Sequence, residues 1–362
     1  MTEISAVPAS HSREPSLDLI RALSIVSVVL FHGVQMSPQA LPWLSQFTQV
    51  GRYGVDVFFV LSGWLIGRIY WREFNQTGAV NVVRFWLGRW LRTIPPYLVA
   101  LALSWLAVRF QRNERFDLGY LVFAQNLYQQ MPFFLVSWSL CIEEHFYVFA
   151  PAALRVANTT AHGSLLLFLV VVMGAACGRC VFSADGLDPP FGFATTATFL
   201  RSEGLALGFA AAWACESKTA AWGTLEEWSG GIALLCASLL TLSWWVPGVW
   251  MYRFGLSVLS VGILGSLIWS RRVQLPSILR HRVIHQIALS TYSIYLTHAL
   301  VLHVARRLCD AIPALPWQAY FPIALGLITL ASWAFYKCIE QPAIRVRTFV
   351  LAGRVRSPST QR

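Results

Sequence analysis

Charged side chains are scarce in this chain. They make up 12% of its 362 residues, whereas hydrophobic residues make up 56%, and the mean hydropathy is +0.55. A soluble domain carries about twice that charged fraction. The composition therefore argues against an ordinary soluble enzyme and predicts a protein that lies in a lipid bilayer.

Sequence signatures of several other protein classes are also missing. The chain has no glycine-rich phosphate loop, no detectable internal repeat and no low-complexity tract, and we predict no metal site. Its seven cysteines are scattered through apolar segments. Cys177 and Cys180 have redox-motif spacing, but they lie in an apolar run without the strand and helix that such a motif requires. We interpret the cysteines as structural.

The chain instead contains long apolar runs. Runs long enough to cross a bilayer occur near residues 17–36, 56–72, 90–109, 138–156, 163–182, 199–216, 229–245, 254–270, 285–307 and 319–341. The first is interpreted as a retained span, because no small-residue cleavage site follows it before Pro38. We predict an all-α integral membrane protein, a polytopic bundle of about ten transmembrane helices. A cytoplasmic segment (1–16) precedes the membrane domain (17–342), and a basic cytoplasmic tail (343–362) follows it.

Basic residues predict how the bundle is oriented. If the N-terminus is inside, the inner segments hold more arginine and lysine than the outer ones, which places both termini in the cytoplasm and the bundle in the inner cell membrane. Arg109, Arg112 and Arg115 count against this orientation. The net charge of +11 is then mostly membrane anchoring. Nucleic-acid binding is excluded, since it would need a basic soluble face with aromatic residues.

The first span carries ionisable residues along one helix face. Arg21 and His32 are eleven residues apart, which is about three turns and roughly 16 Å, and Asp18 lies near the same stripe. Ionisable residues in a membrane helix usually face the bundle interior or a water-filled cavity. Histidine is the side chain best suited to proton transfer near neutral pH. Hydrogen bonding between helices is the competing interpretation.

A basic stretch begins the third span. Arg89 and Arg92 are neighbours on one helix face, and Arg84 is expected to join them at the cytoplasmic mouth. Guanidinium groups bind phosphate bidentately. The alternative is a positive-inside anchor with an aromatic belt. Pro95 and Pro96 predict a break or kink in this helix, which a plain anchor does not require.

Two adjacent carboxylates begin the fourth span. Glu143 and Glu144 lie beside a membrane segment and need arginine or histidine partners from another helix. Tyr147 shares a face with Glu143, and Ser137 or Ser139 is a candidate cap for the helix. A purely structural capping role is the alternative.

Smaller polar signals occur in three other spans. Asp56 lies in a span with a small-residue packing face. His298 follows several hydroxyl residues in the ninth span, and a structural role is favoured for it. Glu340 closes the last span, where an inner-face arginine could pair with it.

Taken in order, these stretches resemble the acyltransferase-3 family of integral-membrane acyltransferases. The resemblance is carried by LDLIRALSIVSVVLFH, GVDVFFVLSGWLI, RFWLGRWLRTIPPY, WSLCIEEHFYVFAP, STYSIYLTH and IEQP, which span residues 17 to 342. It implies a bundle of roughly ten helices. It also implies transfer of an acyl group, usually acetyl, from acyl-coenzyme A to a hydroxyl of an extracytoplasmic or lipid-linked glycan.

The resemblance also assigns roles to residues. His32 is similar to the family's catalytic histidine, Arg21 to its required partner, and Glu143 to the glutamate of its fourth-span motif. Arg89 and Arg92 match its paired-arginine motif. His145 stands where many relatives have glutamine, which leaves the role of that face open. Some relatives append a hydrolase-like domain that has no counterpart here, so the bundle or a separate partner is expected to complete the transfer.

The predicted function is therefore that of a membrane O-acetyltransferase acting on a glycan at the extracytoplasmic side. Acetyl-coenzyme A is the expected donor, and it should dock on Arg84, Arg89 and Arg92. His32 is expected to act as general base or as transient acyl carrier. The supporting residues of this site are Asp18, Ser139, Glu144 and Tyr147. The rival prediction is a transporter or proton relay for glycan export, since an Arg/His/Glu seam would also carry protons.

Overall fold

The protein is described by a computed structural model covering residues 14–37, 39, 45–112, 115–157, 163–183, 192–243, 245–246, 248–312 and 315–353. Within these ranges the chain forms helices and short helical turns and contains no β-strand, which confirms the all-α class there. The predicted cytoplasmic segments fall partly outside them, at residues 1–13 and 354–362.

The predicted apolar runs fall mainly in helical segments, but the runs 199–216, 285–307 and 319–341 are each divided between two or more helices. The longer helices, numbered in chain order, are α1 (Pro15–Met36), α2 (Gly54–Thr77), α3 (Val82–Arg112), α4 (Trp138–Ala157), α5 (Gly163–Phe182), α6 (Glu203–Glu216), α7 (Ala220–Leu242), α8 (Leu256–Arg272), α9 (Arg282–Leu289), α10 (Thr291–Ala311), α11 (Tyr320–Phe335) and α12 (Gln341–Gly353). Short helical turns at Phe193–Thr196, Thr198–Arg201 and Gly248–Trp250 lie between them.

The predicted count of about ten spans is not confirmed. Among the described residues, seven helical stretches are long and apolar enough to cross a membrane. An eighth is added if Ser277–Leu289 and Thr291–Ala311, which meet at 64°, form one bent span. Helices α4 and α6, which cover two of the predicted spans, are not among these candidates. The first carries Glu143, Glu144 and His145, and the second has 14 residues, or about 21 Å of a core about 30 Å thick.

Glycines allow α2 and α6 to pack with their backbones in contact. A Cβ atom on Gly63 would lie 2.1 Å from the Leu205 carbonyl oxygen, and one on Gly208 would lie 2.1 Å from the Val60 carbonyl oxygen. No larger residue fits at either position without moving a helix. Small residues at helix contacts are the usual means of close packing in membranes. They hold α2 in the interior of the bundle.

Helix α3 continues through Pro95 and Pro96 as one helix, so no break occurs where the sequence allowed one. Proline removes a backbone donor, but membrane helices tolerate it where neighbouring groups bind the backbone. The Tyr292 hydroxyl on α10 donates to the Thr93 carbonyl oxygen at 2.8 Å and ties the two helices together. As a result, α3 presents its N-terminal arginines on a continuous helix.

The end of the predicted membrane domain is not the end of helical structure. Helix α11 runs through a π-helical turn (Tyr336–Glu340) into α12, which ends at Gly353 and packs against α3. Glu340 is fully buried in this turn and pairs with Arg92 at 3.7 Å. The structure thus shows the expected pairing of Glu340 with an arginine, and the place of that arginine on the inner face stays a prediction.

Candidate active site

A cavity of about 330 Å³ lies between α1, α2, α3, α4 and α10. Most of the residues singled out in the sequence lie in its wall: Arg21, Arg89, Arg92, Ser139, Glu143, Glu144 and Tyr147. They come from three helices that are far apart in the sequence. We call this space the arginine cavity.

The guanidinium groups of the arginine cavity are only partly neutralised. Arg89 forms no ion pair within the described part of the chain, and Arg21 reaches Asp18 only at 4.0 Å. Arg92 pairs with Glu340 at 3.7 Å. Arg21 also lies within electrostatic range of Arg89 and Arg92. Crowded cations repel one another, and the repulsion is relieved when an anion binds between them.

The carboxylates of the cavity accept hydrogen bonds from α4 itself and from other helices. Glu143 accepts bonds from the hydroxyls of Ser62 (3.1 Å) and Tyr147 (2.5 Å). The Arg89 guanidinium lies over the Tyr147 ring at 5.6 Å. In this structure the hydrogen-bond partners of Glu143 are therefore a serine and a tyrosine, not the arginine or histidine predicted from the sequence.

Glu144 and Ser139 tie α4 to its neighbours. Glu144 accepts hydrogen bonds from Trp90 Nε1 (3.0 Å) and the Thr93 hydroxyl (2.9 Å), both on α3. The Ser139 hydroxyl lies 2.6 Å from the hydroxyl of Tyr295 on α10. Ser139 thus links two helices and lies inside α4 rather than at its cap. These bonds fix the wall of the cavity.

Arg84 and Asp18 do not line the arginine cavity. Arg84 is exposed at the start of α3, five residues before Arg89, which places it about 140° away around the helix. Arg84 is therefore not in the cavity wall with Arg89 and Arg92, and its expected place at the cytoplasmic mouth stays a prediction. Asp18 contacts His285 Nδ1 on α9 at 2.8 Å, so it faces a histidine outside the cavity wall.

His32 lines a second cavity, of about 280 Å³, at the other end of α1. We call it the histidine cavity. Its wall also contains Asp56, Trp138 and Arg201, and Val55 lines both cavities. The roughly 16 Å between Arg21 and His32 along α1 therefore separates two adjoining spaces.

His298 is a residue whose importance the sequence did not reveal. Its ring lies 5.2 Å from that of His32 and 5.7 Å from that of Tyr295, which lines the arginine cavity. Its Nδ1 donates to the Tyr295 carbonyl oxygen at 2.8 Å, which leaves Nε2 with a lone pair. Within the described residues, His298 Nε2 and His32 Nδ1 are both buried without a hydrogen-bond partner.

The rings of Tyr295, His298 and His32 thus connect the two cavities. The run of hydroxyl residues before His298 was the available signal in the sequence, but only the fold brings His298 to His32. Among the described residues, no group of three or more metal-ligating side chains could hold a metal ion. The arrangement suits an anionic molecule at the arginines and proton transfer or nucleophilic attack at the histidine.

Comparisons with known proteins identify the family of this chain. The peptidoglycan O-acetyltransferase OatA of Listeria monocytogenes (serovar 1/2a, strain EGD-e) is 29% identical over 94% of this chain, which covers 57% of the length of that relative. The O-acetyltransferase OatA of Staphylococcus aureus (strain NCTC 8325) is 29% identical over 38% of this chain and 24% of its own length. No solved structure matches. The family described as an acyltransferase domain matches residues 14–337, and the chain therefore belongs to the acyltransferase-3 family.

Proposed function

We propose that this chain is a membrane O-acetyltransferase that transfers acetyl from acetyl-coenzyme A to a hydroxyl of a polysaccharide or lipid-linked glycan at the extracytoplasmic side. Family membership supports an enzyme over a transporter or proton relay. The names of the relatives support acetyl transfer to a glycan. The observation that carries the proposal is the convergence of Arg21, Arg89 and Arg92 on one cavity beside the cavity of His32.

The arginine cavity binds the donor in this proposal. Coenzyme A is anionic through its phosphates, and guanidinium groups bind phosphate oxygens with two parallel hydrogen bonds. Arg89 is suited to this role because it forms no ion pair among the described residues. Arg347 on α12 lies within electrostatic range of Arg89 and Arg92 and adds a further positive charge.

His32 supplies the chemistry through a ring-nitrogen lone pair. In direct transfer, His32 takes the proton of the acceptor hydroxyl while the oxygen attacks the thioester carbonyl. The C–O bond forms, the C–S bond breaks, and coenzyme A leaves as a thiol after receiving the proton. In two-step transfer, a ring nitrogen attacks the thioester carbonyl, the C–S bond breaks, and coenzyme A leaves as a thiol with the proton of the imidazole. The acceptor hydroxyl then attacks the acetyl-imidazole, the C–N bond breaks, and the hydroxyl proton returns to the imidazole.

The orientation of the bundle follows from the donor. Acetyl-coenzyme A is cytosolic, so the arginine cavity opens towards the cytoplasm and His32 lies nearer the outer leaflet. Basic residues support this orientation. Glu14, at the start of α1, pairs with Arg68 at 2.8 Å and Arg271 at 3.0 Å, which places arginines from two other helices at the N-terminal end of the bundle.

Replacement of His32 tests the proposal. We expect His32→Ala to reduce transfer of labelled acetyl from acetyl-coenzyme A to the cell's glycan fraction by about 10²- to 10⁴-fold. Its expression and acetyl-coenzyme A affinity should stay at the wild-type level. His303→Ala is the matched control, because His303 is also on a membrane helix and lines neither cavity. Near-normal transfer by a well-expressed His32→Ala protein would remove His32 from the mechanism.

The two forms of the reaction are separated by omitting the acceptor. Labelled acetyl should remain on the acid-quenched wild-type protein, and not on His32→Ala, if the acyl-imidazole forms. No label should remain on either protein if transfer is direct.

A further inference from the structure

The histidine cavity contains an ion pair with unused hydrogen-bonding capacity. Arg201 Nη2 donates to Asp56 Oδ1 at 2.7 Å, and both side chains are about nine-tenths buried. Asp56 Oδ2 and Arg201 Nε have no hydrogen-bond partner within the described part of the chain. His32 Nδ1, in the wall of the same cavity, also has none. Unpartnered buried polar atoms are costly, and three of them belong to residues that line this one cavity.

A neighbouring ion pair shows how a purely structural arginine is bound in this fold. Arg179 donates to Glu203 (2.6 Å), to the Leu200 carbonyl oxygen (2.5 Å) and to the Ser257 hydroxyl (2.6 Å). Neither Arg179 nor Glu203 lines the arginine or the histidine cavity. The Arg179–Glu203 pair also leaves one atom, Glu203 Oε2, without a partner among the described residues, but Arg201 differs in that its unused donor belongs to a residue of a cavity wall.

The chemistry of this wall identifies a class of ligand. A hydroxyl group can donate to Asp56 Oδ2, and another oxygen of the same molecule can accept from Arg201 Nε. The charges of Asp56 and Arg201 cancel, so this pair offers no net attraction to an ion. Arg52 adds a positive charge only at the exposed rim of the cavity. Trp138, over which the Arg201 guanidinium lies at 4.9 Å, adds an aromatic surface. Such a wall favours a neutral ring that carries several hydroxyl groups.

We propose that the histidine cavity is the acceptor site, and that Asp56 and Arg201 bind a neutral sugar ring there with a hydroxyl of that ring beside His32. This inference rests on the proposed O-acetyltransferase function. It adds the residues that recognise the acceptor and its charge class. Arg52, also in the cavity wall, is engaged with Gln49 through its Nε (3.0 Å) and lies at the exposed rim.

Kinetics of acetyl transfer in membranes test this assignment. We expect Asp56→Asn and Arg201→Lys each to raise the apparent KM for the cell's glycan fraction by about 10- to 100-fold. The KM for acetyl-coenzyme A should not change, because neither residue lines the arginine cavity. Glu203→Gln is the matched control, since it also removes a charge from a buried ion pair. It should leave both KM values close to those of the wild type.

Competition identifies the class of acceptor. The neutral methyl glycoside of N-acetylglucosamine should inhibit wild-type transfer more strongly than glucuronic acid does, and Asp56→Asn should weaken that inhibition. Absence of inhibition by both sugars, or stronger inhibition by glucuronic acid, would overturn the neutral-sugar assignment. An equal rise in the apparent KM for the glycan fraction in Asp56→Asn and Glu203→Gln would mean that the Asp56–Arg201 pair has only a structural role. If wild-type membranes transferred no acetyl from acetyl-coenzyme A, the proposed function itself would fail, whatever the variants showed.

Discussion

Replacing Arg89 with glutamine separates donor binding from folding. A charge-assisted hydrogen bond contributes about 1.5–3 kcal/mol, and each 1.4 kcal/mol is tenfold in affinity. Loss of the guanidinium should therefore raise the Kd for acetyl-coenzyme A by about 10- to 100-fold. Arg89→Lys should recover part of the loss, because the charge remains but the bidentate geometry does not.

The cost to the folded state should be small. Arg89 forms no ion pair among the described residues and contributes mainly its contact with the Tyr147 ring, which is worth about 1 kcal/mol. Its removal relieves repulsion from Arg21 and Arg92. It also removes an attraction to Glu143 and Glu144, which offsets part of that relief. Arg92→Gln is a less clear test, because it would leave the buried Glu340 with one partner fewer.

Thermal unfolding of the solubilised protein with and without coenzyme A provides the assay. A ligand at 100 times its Kd stabilises the folded state by about 2.7 kcal/mol, and at the same concentration a 30-fold weaker complex gains only about 0.9 kcal/mol. The stabilisation by coenzyme A should thus shrink in Arg89→Gln while the ligand-free protein unfolds at nearly the wild-type temperature.

Arg84→Gln is the matched control for this experiment. It removes the same charge from the same helix, but Arg84 is exposed and outside the arginine cavity. Its affinity for coenzyme A should remain near that of the wild type. Equal losses in Arg84→Gln and Arg89→Gln would mean that the overall charge of the mouth attracts the donor. An unchanged Kd in Arg89→Gln would refute the arginine cavity as the donor site. The arginines of α3 would then be interpreted as a membrane anchor.

Two further predictions follow from the same geometry. His298→Ala should lower the rate of transfer without changing the affinity for acetyl-coenzyme A, because His298 contacts His32 and does not line the arginine cavity; an unchanged rate would assign His298 to packing alone. In intact cells and with the native cysteines replaced, a cysteine introduced at Ser45 should react with an impermeant thiol reagent and one at Ser359 should not. The opposite pattern would place the arginine cavity away from cytosolic donor.

The helices were largely predictable because they depend on local properties. Apolar runs of about 20 residues form helices in lipid whatever their neighbours are, since every backbone group must be bonded within the segment. Two helices are not apolar or long enough to be candidate spans, and each has a local reason. Helix α4 carries adjacent carboxylates, and α6 is short and interrupted by glycines. Whether such helices cross the bilayer depends on the partners that other helices supply.

The candidate site was predictable as a set of residues but not as a geometry. An ionisable side chain in an apolar run is conspicuous in the sequence, so Arg21, His32 and Glu143 could be identified directly. The spacing along α3 grouped Arg84 with Arg89 and Arg92, yet rotation around the helix axis places Arg84 outside the cavity. A helical repeat fixes relative directions on one helix, and it does not say which direction faces the interior.

Hydropathy and short motifs depend only on residues that are adjacent in the sequence. The sequence alone therefore identifies this chain as a helical membrane protein of the acyltransferase-3 family. Which polar side chains lie in contact depends on tertiary packing. His298 lies beside His32, and Arg201 pairs with Asp56 across 145 positions of sequence. In each case two helices must pack before the side chains approach, and that packing depends on the shape of whole helix faces, such as the glycine contact between α2 and α6.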